Sequence, residues 1–191
     1  DSVTNSRRIT PPPIGEADAV SPLLLRKHEV THHFPVLDAT ANQFARSLRD
    51  LLRALGAPSI QVERERSVQM SFSEWLHGVT PALFWRFNAP ALKGPLYISA
   101  SRTLVLQLVD IFYGGKGQLV ADRDDLTDAE ERFSARLGRD MALQLAAAWR
   151  DKLVLDPELD VVTADSSKIM PQRGAEELVV QRFTIKGAPF D

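Results

Sequence analysis

The sequence predicts an α/β fold of the α+β kind, in which helices pack on a mainly antiparallel sheet. Two long stretches, 36–55 and 127–152, carry apolar residues at helical spacing, and each is followed by short runs of β-type residues. Helices and strands therefore do not alternate strictly, as a parallel sheet would require. The repeated order of a long helix and then strands also suggests two related halves, although no internal sequence repeat supports them.

Length and composition limit the class of protein. A chain of 191 residues is long enough for one domain with a tail and a buried core. The absence of cysteine excludes a disulfide framework, thiolate catalysis and cysteine-based zinc sites. The formal net charge of −2 gives no basic excess for nucleic acid. Because no apolar run approaches the roughly 18 residues of a membrane-spanning helix, no membrane insertion is expected.

The first predicted elements are a tail and a long helix. Residues 1–21 are polar and contain three consecutive prolines, which predicts an extended tail or linker before a domain at 22–191. Pro35 suits the first turn of the helix, and Gly56 and Pro58 end it. Its buried face is a stripe of apolar residues at helical spacing: Leu37, Ala41, Phe44, Leu48, Leu51, Leu52 and Leu55.

A strand and a short helical turn follow. Alternating polar and apolar residues predict a strand at 59–63 that extends to about Met70, and 73–76 is expected to form one helical turn. Arginine and glutamate alternate at 63–66, which is typical of an exposed edge strand. Five aromatic residues of the chain are assigned to the core: Trp75, Phe84, Trp85, Phe87 and Trp149.

The middle of the chain predicts two strands and two helices. The strands are expected at 82–87 and 95–99, and a helix at 101–113. Thr127 and Glu130 form a capping-box pattern at the start of the second long helix. Residues of this helix repeat every four positions along its buried face: Phe133, Leu137, Met141, Leu145 and Trp149.

The last predicted elements are two strands, at 160–164 and 178–185. Pro171 and Gly174 mark the turn between them. These strands complete the α+β order of helix, strands, helix, helix and strands.

The most specific local feature is the run Gly114-Gly115-Lys116-Gly117. A P-loop places a strand before its glycines and a hydroxyl residue after its lysine, whereas here a predicted helix precedes the run and Gly117 follows Lys116. The dinucleotide pattern fails too, because Val120 stands where its third glycine belongs. A helix end with a left-handed Gly114 or Gly115 is a structural explanation, but it needs one glycine. Three glycines suggest a loop whose backbone a partner approaches closely.

Other residue patterns do not form an active site. His28 and His32 have the spacing of helical zinc ligands, yet no carboxylate completes that pattern. No Gly-x-Ser-x-Gly elbow indicates serine hydrolysis. We therefore expect no catalytic residue, no metal and no cofactor. Arg7 and Arg8 leave open a receptor for a small ligand.

Three segments, in this order, resemble the middle domain of the flagellar motor switch protein FliM. The first is Pro35-x-Leu37-Asp38, which leads to Phe44-Ala45-Arg46-Ser47-Leu48. The second is Leu108-Val109-Asp110-x-Phe112-Tyr113-Gly114-Gly115-Lys116-Gly117. The third is Leu126-Thr127-x-x-Glu130, which opens a helix that ends near Trp149. The second segment is the specific one, and the resemblance covers about residues 30–187.

The resemblance implies a fold and a role. The fold is a three-layer α/β/α sandwich with pseudo-two-fold halves, as in CheC-type phosphatases. The role is that of a non-enzymatic, cytoplasmic subunit of the C-ring, peripheral to the inner membrane at the flagellar basal body, for motility and rotational switching in chemotaxis. In that family the Gly-Gly-x-Gly loop contacts FliG, and neighbouring FliM copies pack side by side. The matching residues here are Gly114, Gly115, Lys116 and Gly117.

Two features depart from the family pattern. Residues 1–21 lack the amphipathic segment with which FliM captures phosphorylated CheY, and no FliN-like domain follows before Asp191. We therefore expect FliN and phospho-CheY to be partners of a full-length protein rather than of this piece.

The alternative function is that of a CheC-like phosphatase of phospho-CheY. Such enzymes place a glutamate and an asparagine three residues apart on a helix. The chain has three asparagines: Asn5, Asn42 and Asn88. Only Asn42 lies in a predicted helix, and Ala39 stands three positions before it. Glu131, on the second long helix, is followed at that spacing by Ser134. The sequence therefore predicts no phosphatase activity.

Overall fold

A computed structural model describes residues 35–79, 81–118, 125–171 and 177–190. Its α-helices are α1 (Pro35–Ala54), α2 (Phe72–Val79), α3 (Arg102–Phe112) and α4 (Asp128–Trp149), and a short 3-10 helix spans Ser166–Ile169. Its strands are β1 (Gln61–Arg64), β2 (Val68–Ser71), β3 (Ala82–Asn88), β4 (Leu96–Ser101), β5 (Glu158–Thr163), β6 (Glu177–Val180) and β7 (Phe183–Lys186).

Strand β3 lies at the centre of three layers. Its odd-numbered residues, among them Trp85, pack into a large core formed with α1, α3 and α4. Its even-numbered residues, among them Phe84, pack into a small core with α2 and the 3-10 helix. A strand buried on both faces needs a helical layer on each side. This arrangement confirms the predicted α/β/α sandwich.

Each half of the chain begins with a long helix and continues with one or two strands and then a short helix. In the first half the long helix α1 precedes β1, β2 and the short helix α2, and in the second half α4 precedes β5 and the 3-10 helix. The helices α1 and α4 contact each other in one layer. The two short helices both lie in the small core on the other side of the sheet. The related halves predicted from the sequence are therefore visible in the packing.

All strand pairs are antiparallel in the described part of the chain. Strand β3 pairs with β4 on one side and with β5 on the other, while β1 pairs with β7 and β2 with β6. The last two strands, β6 and β7, thus pair with the strands that follow α1. This long-range pairing confirms the mainly antiparallel sheet.

The predicted long strands at 59–70 and 178–185 are each broken in two. Between the ladders β1–β7 and β2–β6, one chain segment has three residues, 65–67, and its partner has two, 181 and 182. The Glu65 amide still donates to the Arg182 carbonyl, at 2.9 Å. This unequal count is a β-bulge.

The bulge reverses which face of the strand is buried in which core. Val62 packs against the large core, whereas Met70, at the same sequence parity, lies in the small core. One extra residue moves every later side chain to the opposite face, because side chains alternate with a period of two. The bulge therefore lets one ribbon supply both cores.

Helix α2 is longer than the predicted turn at 73–76. Its start is a second capping box, in which Ser71 accepts from the Glu74 amide at 3.3 Å and Glu74 accepts from the Ser71 amide at 2.9 Å. Of the aromatic residues assigned to the core, Trp75, Phe84, Trp85 and Phe87 are buried, and Trp149 packs partly buried against the large core.

Helix α4 approaches the sheet closely at one position. A Cβ on Gly138 would overlap the Trp85 ring, so glycine is required there. The indole N–H of Trp85 donates to the Ser134 carbonyl of α4 at 2.7 Å, which satisfies the only polar atom of that buried side chain. This contact fixes α4 against β3.

Several sequence-based predictions lie outside the described residues. They concern the tail 1–21, Arg7 and Arg8, the pair His28 and His32, and the turn glycine Gly174.

Candidate protein-docking site

The Gly-Gly-x-Gly run forms the C-terminal end of α3. The Gly114 amide donates to the Ile111 carbonyl at 3.0 Å, and the Gly115 amide donates to the Asp110 carbonyl at 2.8 Å. This pair of bonds is a Schellman motif, which satisfies the carbonyls that a helix end leaves open. Gly114 is the left-handed residue of that motif, with φ of +92°. The structural explanation offered by the sequence is therefore correct for Gly114.

The other two glycines are required by contacts within the chain. A Cβ on Gly115 would overlap the carboxylate of Asp110, and a Cβ on Gly117 would overlap the ring of Pro189. Close approach does explain these glycines, but the approaching atoms belong to this chain. A docking role must therefore be argued from what the loop exposes.

The loop amides are also largely occupied. The amide of Gly117 donates to the Asp110 carboxylate at 2.8 Å, in addition to the two Schellman bonds. The three glycine amides already donate inside the chain.

The occupied amides also argue against a phosphate site. The loop follows the C-terminus of α3, where the helix dipole presents its negative end. Phosphates bind instead at helix N-termini with free N–H groups.

Two polar side chains of α3 hold the loop from below. Asp110 accepts from Gly117, as described, and Gln107 donates to the Gly117 carbonyl at 3.1 Å and to the Pro189 carbonyl at 3.4 Å. Gln107 is only 9% exposed, so its amide lies inside the protein. The loop is thus fixed between α3 and the segment 187–190.

The outer surface of the loop is polar and aromatic. Lys116 is exposed, and Tyr113 and Phe112 are 61% and 37% exposed. The Phe112 ring contacts that of Tyr113, with centroids 5.3 Å apart, and that of the buried Phe133, at 5.1 Å. The guanidinium carbon of Arg136 lies 5.3 Å from the Phe112 ring centroid. We call Phe112, Tyr113 and Arg136 the aromatic patch.

Sequence reasoning placed the loop correctly at the end of a helix but missed its neighbours. Phe112 and Tyr113 were visible as two aromatic residues at a helix end, where one face must point to solvent. The contribution of Arg136 depends on how α4 packs beside α3, and no local pattern reports that packing.

A pocket of about 1230 Å³ is lined by residues of β4, β6 and β7 and by residues of α1, α3 and α4. Its lining is mostly apolar and includes Leu96, Ile98, Phe183 and Ile185. Across the described ranges, no three His, Asp or Glu side chains come together in a way that would hold a metal ion. None of the helices in those ranges is both long and apolar enough to span a bilayer.

Comparisons with known proteins agree with this fold. No curated protein matches the sequence significantly. A crystal structure of the FliG–FliM complex from H. pylori matches with a TM-score of 0.68 and 19% identity, over 80% of this chain and 85% of that one. The FliM middle domain from Vibrio alginolyticus matches with a TM-score of 0.66 and 23% identity, over 80% and 86%.

A structure of Thermotoga maritima FliY is similar at a TM-score of 0.54 and 13% identity, over 79% of each chain. At these identities the structural matches show the fold. A family model described as flagellar motor switch protein FliM matches residues 30–186, which is most of the sequence. The chain therefore belongs to the FliM family of flagellar motor switch proteins.

Proposed function

We propose that this chain is a non-enzymatic subunit of the flagellar motor switch and that it binds FliG through the loop Gly114–Gly117 and the aromatic patch. The observation that carries the proposal is the exposed Tyr113 and Lys116 on a loop that is fixed from below by α3. The similar FliM of H. pylori was crystallised as a complex with FliG. The role is cytoplasmic, in the C-ring at the flagellar basal body.

The chemistry of the exposed residues suits a protein partner. Tyrosine and arginine are enriched among the residues that dominate binding energy at interfaces. Phe112 supports Tyr113 from one side and rests on the buried Phe133, so the aromatic patch has a rigid base. A rigid loop loses little conformational entropy on binding, which favours affinity.

Lys116 adds a charge to this surface. It occupies the x position of Gly-Gly-x-Gly and is exposed. A charge at the rim of an interface mainly sets the association rate and the choice of partner. We therefore assign Lys116 a steering role and Tyr113 an anchoring role.

Neighbouring copies of the chain pack side by side in the proposed ring, and rotational switching is a change in packing between such rigid domains. The stacked long helices and the sheet form the rigid body that this mechanism requires.

Binding to immobilised purified FliG, measured by surface plasmon resonance for affinity and for association and dissociation rates, tests the proposal. We expect Tyr113→Ala to weaken binding about tenfold, as is usual for an anchoring aromatic residue. Lys116→Glu should lower the association rate with a smaller change in dissociation rate. Lys152→Glu is the matched control, because Lys152 is exposed beyond the far end of α4.

Unchanged affinity and rates in both loop variants would contradict the proposed site. A substitution of Gly115 is unsuitable as a test, because any side chain there overlaps Asp110 and distorts the loop itself.

The phosphatase alternative gains no support from the described helices. The amide oxygen of Asn42 accepts from Arg64 at 2.9 Å, and Arg64 forms an ion pair with Asp38 at 2.6 Å. Asn88 lies at the end of β3, and Ser134 is fully buried. We expect the pure protein to leave the dephosphorylation rate of phospho-CheY unchanged, and an acceleration would favour the enzyme.

A further inference from the structure

We propose that Asp110 and Gln107 are positioning residues of the docking loop: they hold Gly117, and with it Lys116 and Tyr113, in the shape that a partner recognises. This inference rests on the proposed function for its binding readout. The two residues contact the loop from its inner side, where Gln107 is buried and Asp110 is half-buried.

Asp110 acts on the loop through its carboxylate. One oxygen accepts from the Gly117 amide at 2.8 Å, seven residues along the chain. The same carboxylate lies where a side chain on Gly115 would be, so the loop folds directly over it. Gly117 is buried, with φ of +70°. A buried amide without an acceptor is unfavourable, so the carboxylate selects the loop conformation that supplies one.

Gln107 acts through its side-chain amide, one helical turn before Asp110. It donates to the carbonyl of Gly117 and to the carbonyl of Pro189. Asp110 and Gln107 together therefore satisfy both the N–H and the C=O of Gly117.

Pro189 adds a steric limit to these hydrogen bonds. Its ring lies against the Cα of Gly117, so the loop cannot move toward the segment 187–190. The Phe190 amide donates to the Gly187 carbonyl at 2.9 Å, which closes that segment into a turn. The loop is held on one side by hydrogen bonds and on the other by packing.

The variants are chosen to keep the shape of each side chain while removing its hydrogen bonds to the loop. Asp110→Leu keeps the branched shape and the number of heavy atoms but is bulkier and removes the acceptor, whereas Asp110→Asn keeps an oxygen that can accept from Gly117. Gln107→Met is nearly isosteric and removes both donated bonds. Asp151→Leu is the matched control, because Asp151 is exposed after the end of α4.

Two measurements on each variant test the inference: hydrogen exchange of the Gly117 amide by NMR, and affinity for FliG. In Asp110→Leu and Gln107→Met we expect Gly117 exchange to accelerate about tenfold or more and FliG binding to weaken about tenfold. Asp110→Asn and Asp151→Leu should match the unmodified chain in both. Circular dichroism checks that each variant remains folded, and Gln107→Met keeps the test decisive if Asp110→Leu does not fold.

The outcomes separate this inference from the proposed function. Unchanged Gly117 exchange in Asp110→Leu and Gln107→Met overturns the positioning role, whatever FliG does. Faster exchange with unchanged FliG affinity also overturns it, while the proposed function stands. If the unmodified chain does not bind FliG, the proposed function and the role in docking are both overturned. Loss of FliG binding by Asp110→Asn with normal Gly117 exchange also contradicts the positioning role, because the carboxylate would then contact the partner itself.

Discussion

The end of α3 and the start of α4 solve the same problem in different ways. Both helix ends leave backbone groups without partners inside the helix. At α4 the residues Thr127 and Glu130 satisfy two amides within four positions of sequence, at 3.4 and 2.7 Å. At the end of α3 a Schellman motif satisfies the helix carbonyls, and the side chains of Gln107 and Asp110 bind the loop that follows. Gln107 also donates to the carbonyl of Pro189, which is 82 residues away in the sequence.

The difference teaches which helix end can carry a surface for recognition. In a capping box both side chains bind backbone amides of the same helix end. The box therefore contributes to stability and presents little surface to a partner. The loop after α3 is held from its inner side by α3 and by Pro189. Its outer side chains are therefore fixed in position and remain available to a partner. Three predictions test this contrast, in order of decreasing effect on stability.

The largest effect is expected at Gly117. In Gly117→Val a branched side chain meets Pro189 in a left-handed backbone conformation, so unfolding free energy should fall by about 3 kcal/mol. Gly114→Val is the matched variant, because Gly114 shares the positive φ but faces open space, and it should cost about 1–2 kcal/mol. Urea denaturation measures both. Equal losses of unfolding free energy in the two variants would mean that only the positive φ matters and that the contact with Pro189 adds nothing to the cost.

A smaller effect is expected at the local cap. Thr127→Ala removes the hydroxyl that accepts from the Glu130 amide, which should lower unfolding free energy by about 1 kcal/mol. Thr127→Ser keeps the hydroxyl and serves as the control. FliG affinity should be the same for both variants in a titration, because this cap presents no part of the docking surface. A loss of affinity in Thr127→Ala alone would show that the two helix ends are coupled.

The smallest effect is expected at a third cap, Asp165, at the start of the 3-10 helix. The pKa of its carboxyl lies below the usual value because the Ser167 hydroxyl and the Ser167 amide both donate to it, at 2.7 and 3.0 Å. A lowered pKa means that the charged form stabilises the folded state above the unfolded pKa, which is about 4. That contribution is lost as the pH falls through the folded pKa.

Asp165→Asn keeps an oxygen for the cap but cannot ionise, so it isolates this pH dependence. Its stability relative to the unmodified chain should be lower at pH 6, and the difference should shrink as the pH falls below about 4. Urea denaturation at several pH values measures it. A difference that does not depend on pH would show that the charge of Asp165 has no role.

The features predicted correctly from the sequence are those whose causes lie within a few residues. The long helices α1 and α4 were predicted from their apolar stripes. The capping box at the start of α4 was predicted from Thr127 and Glu130, which are three positions apart. The same rule could have found the box at Ser71 and Glu74, since that spacing is also local. The glycine run was located, and its failure as a phosphate loop followed from residue order alone.

The features that were missed depend on contacts between distant segments. The bulge at 65–67 becomes visible only when the partner strand at 181–182 supplies one residue fewer. Glycine is needed at 117 because Pro189 packs against it, and Arg136 lies beside the exposed Phe112 ring because α4 packs next to α3. Neither contact is visible from neighbouring residues in the sequence. Backbone alternation alone cannot report an inserted residue, because the pattern on each side of it remains intact.

The sequence by itself determined the α+β class and the long helices with the cap of α4, because short-range hydrophobic periodicity and hydrogen bonding fix those features. It pointed to the family only through the resemblance of three segments, among them the Gly-Gly-x-Gly run. The tertiary structure decided why each glycine is there and which side chains face outward. Those properties are set by steric overlap and burial between segments up to 82 residues apart, and such contacts exist only after the helices and strands have packed together.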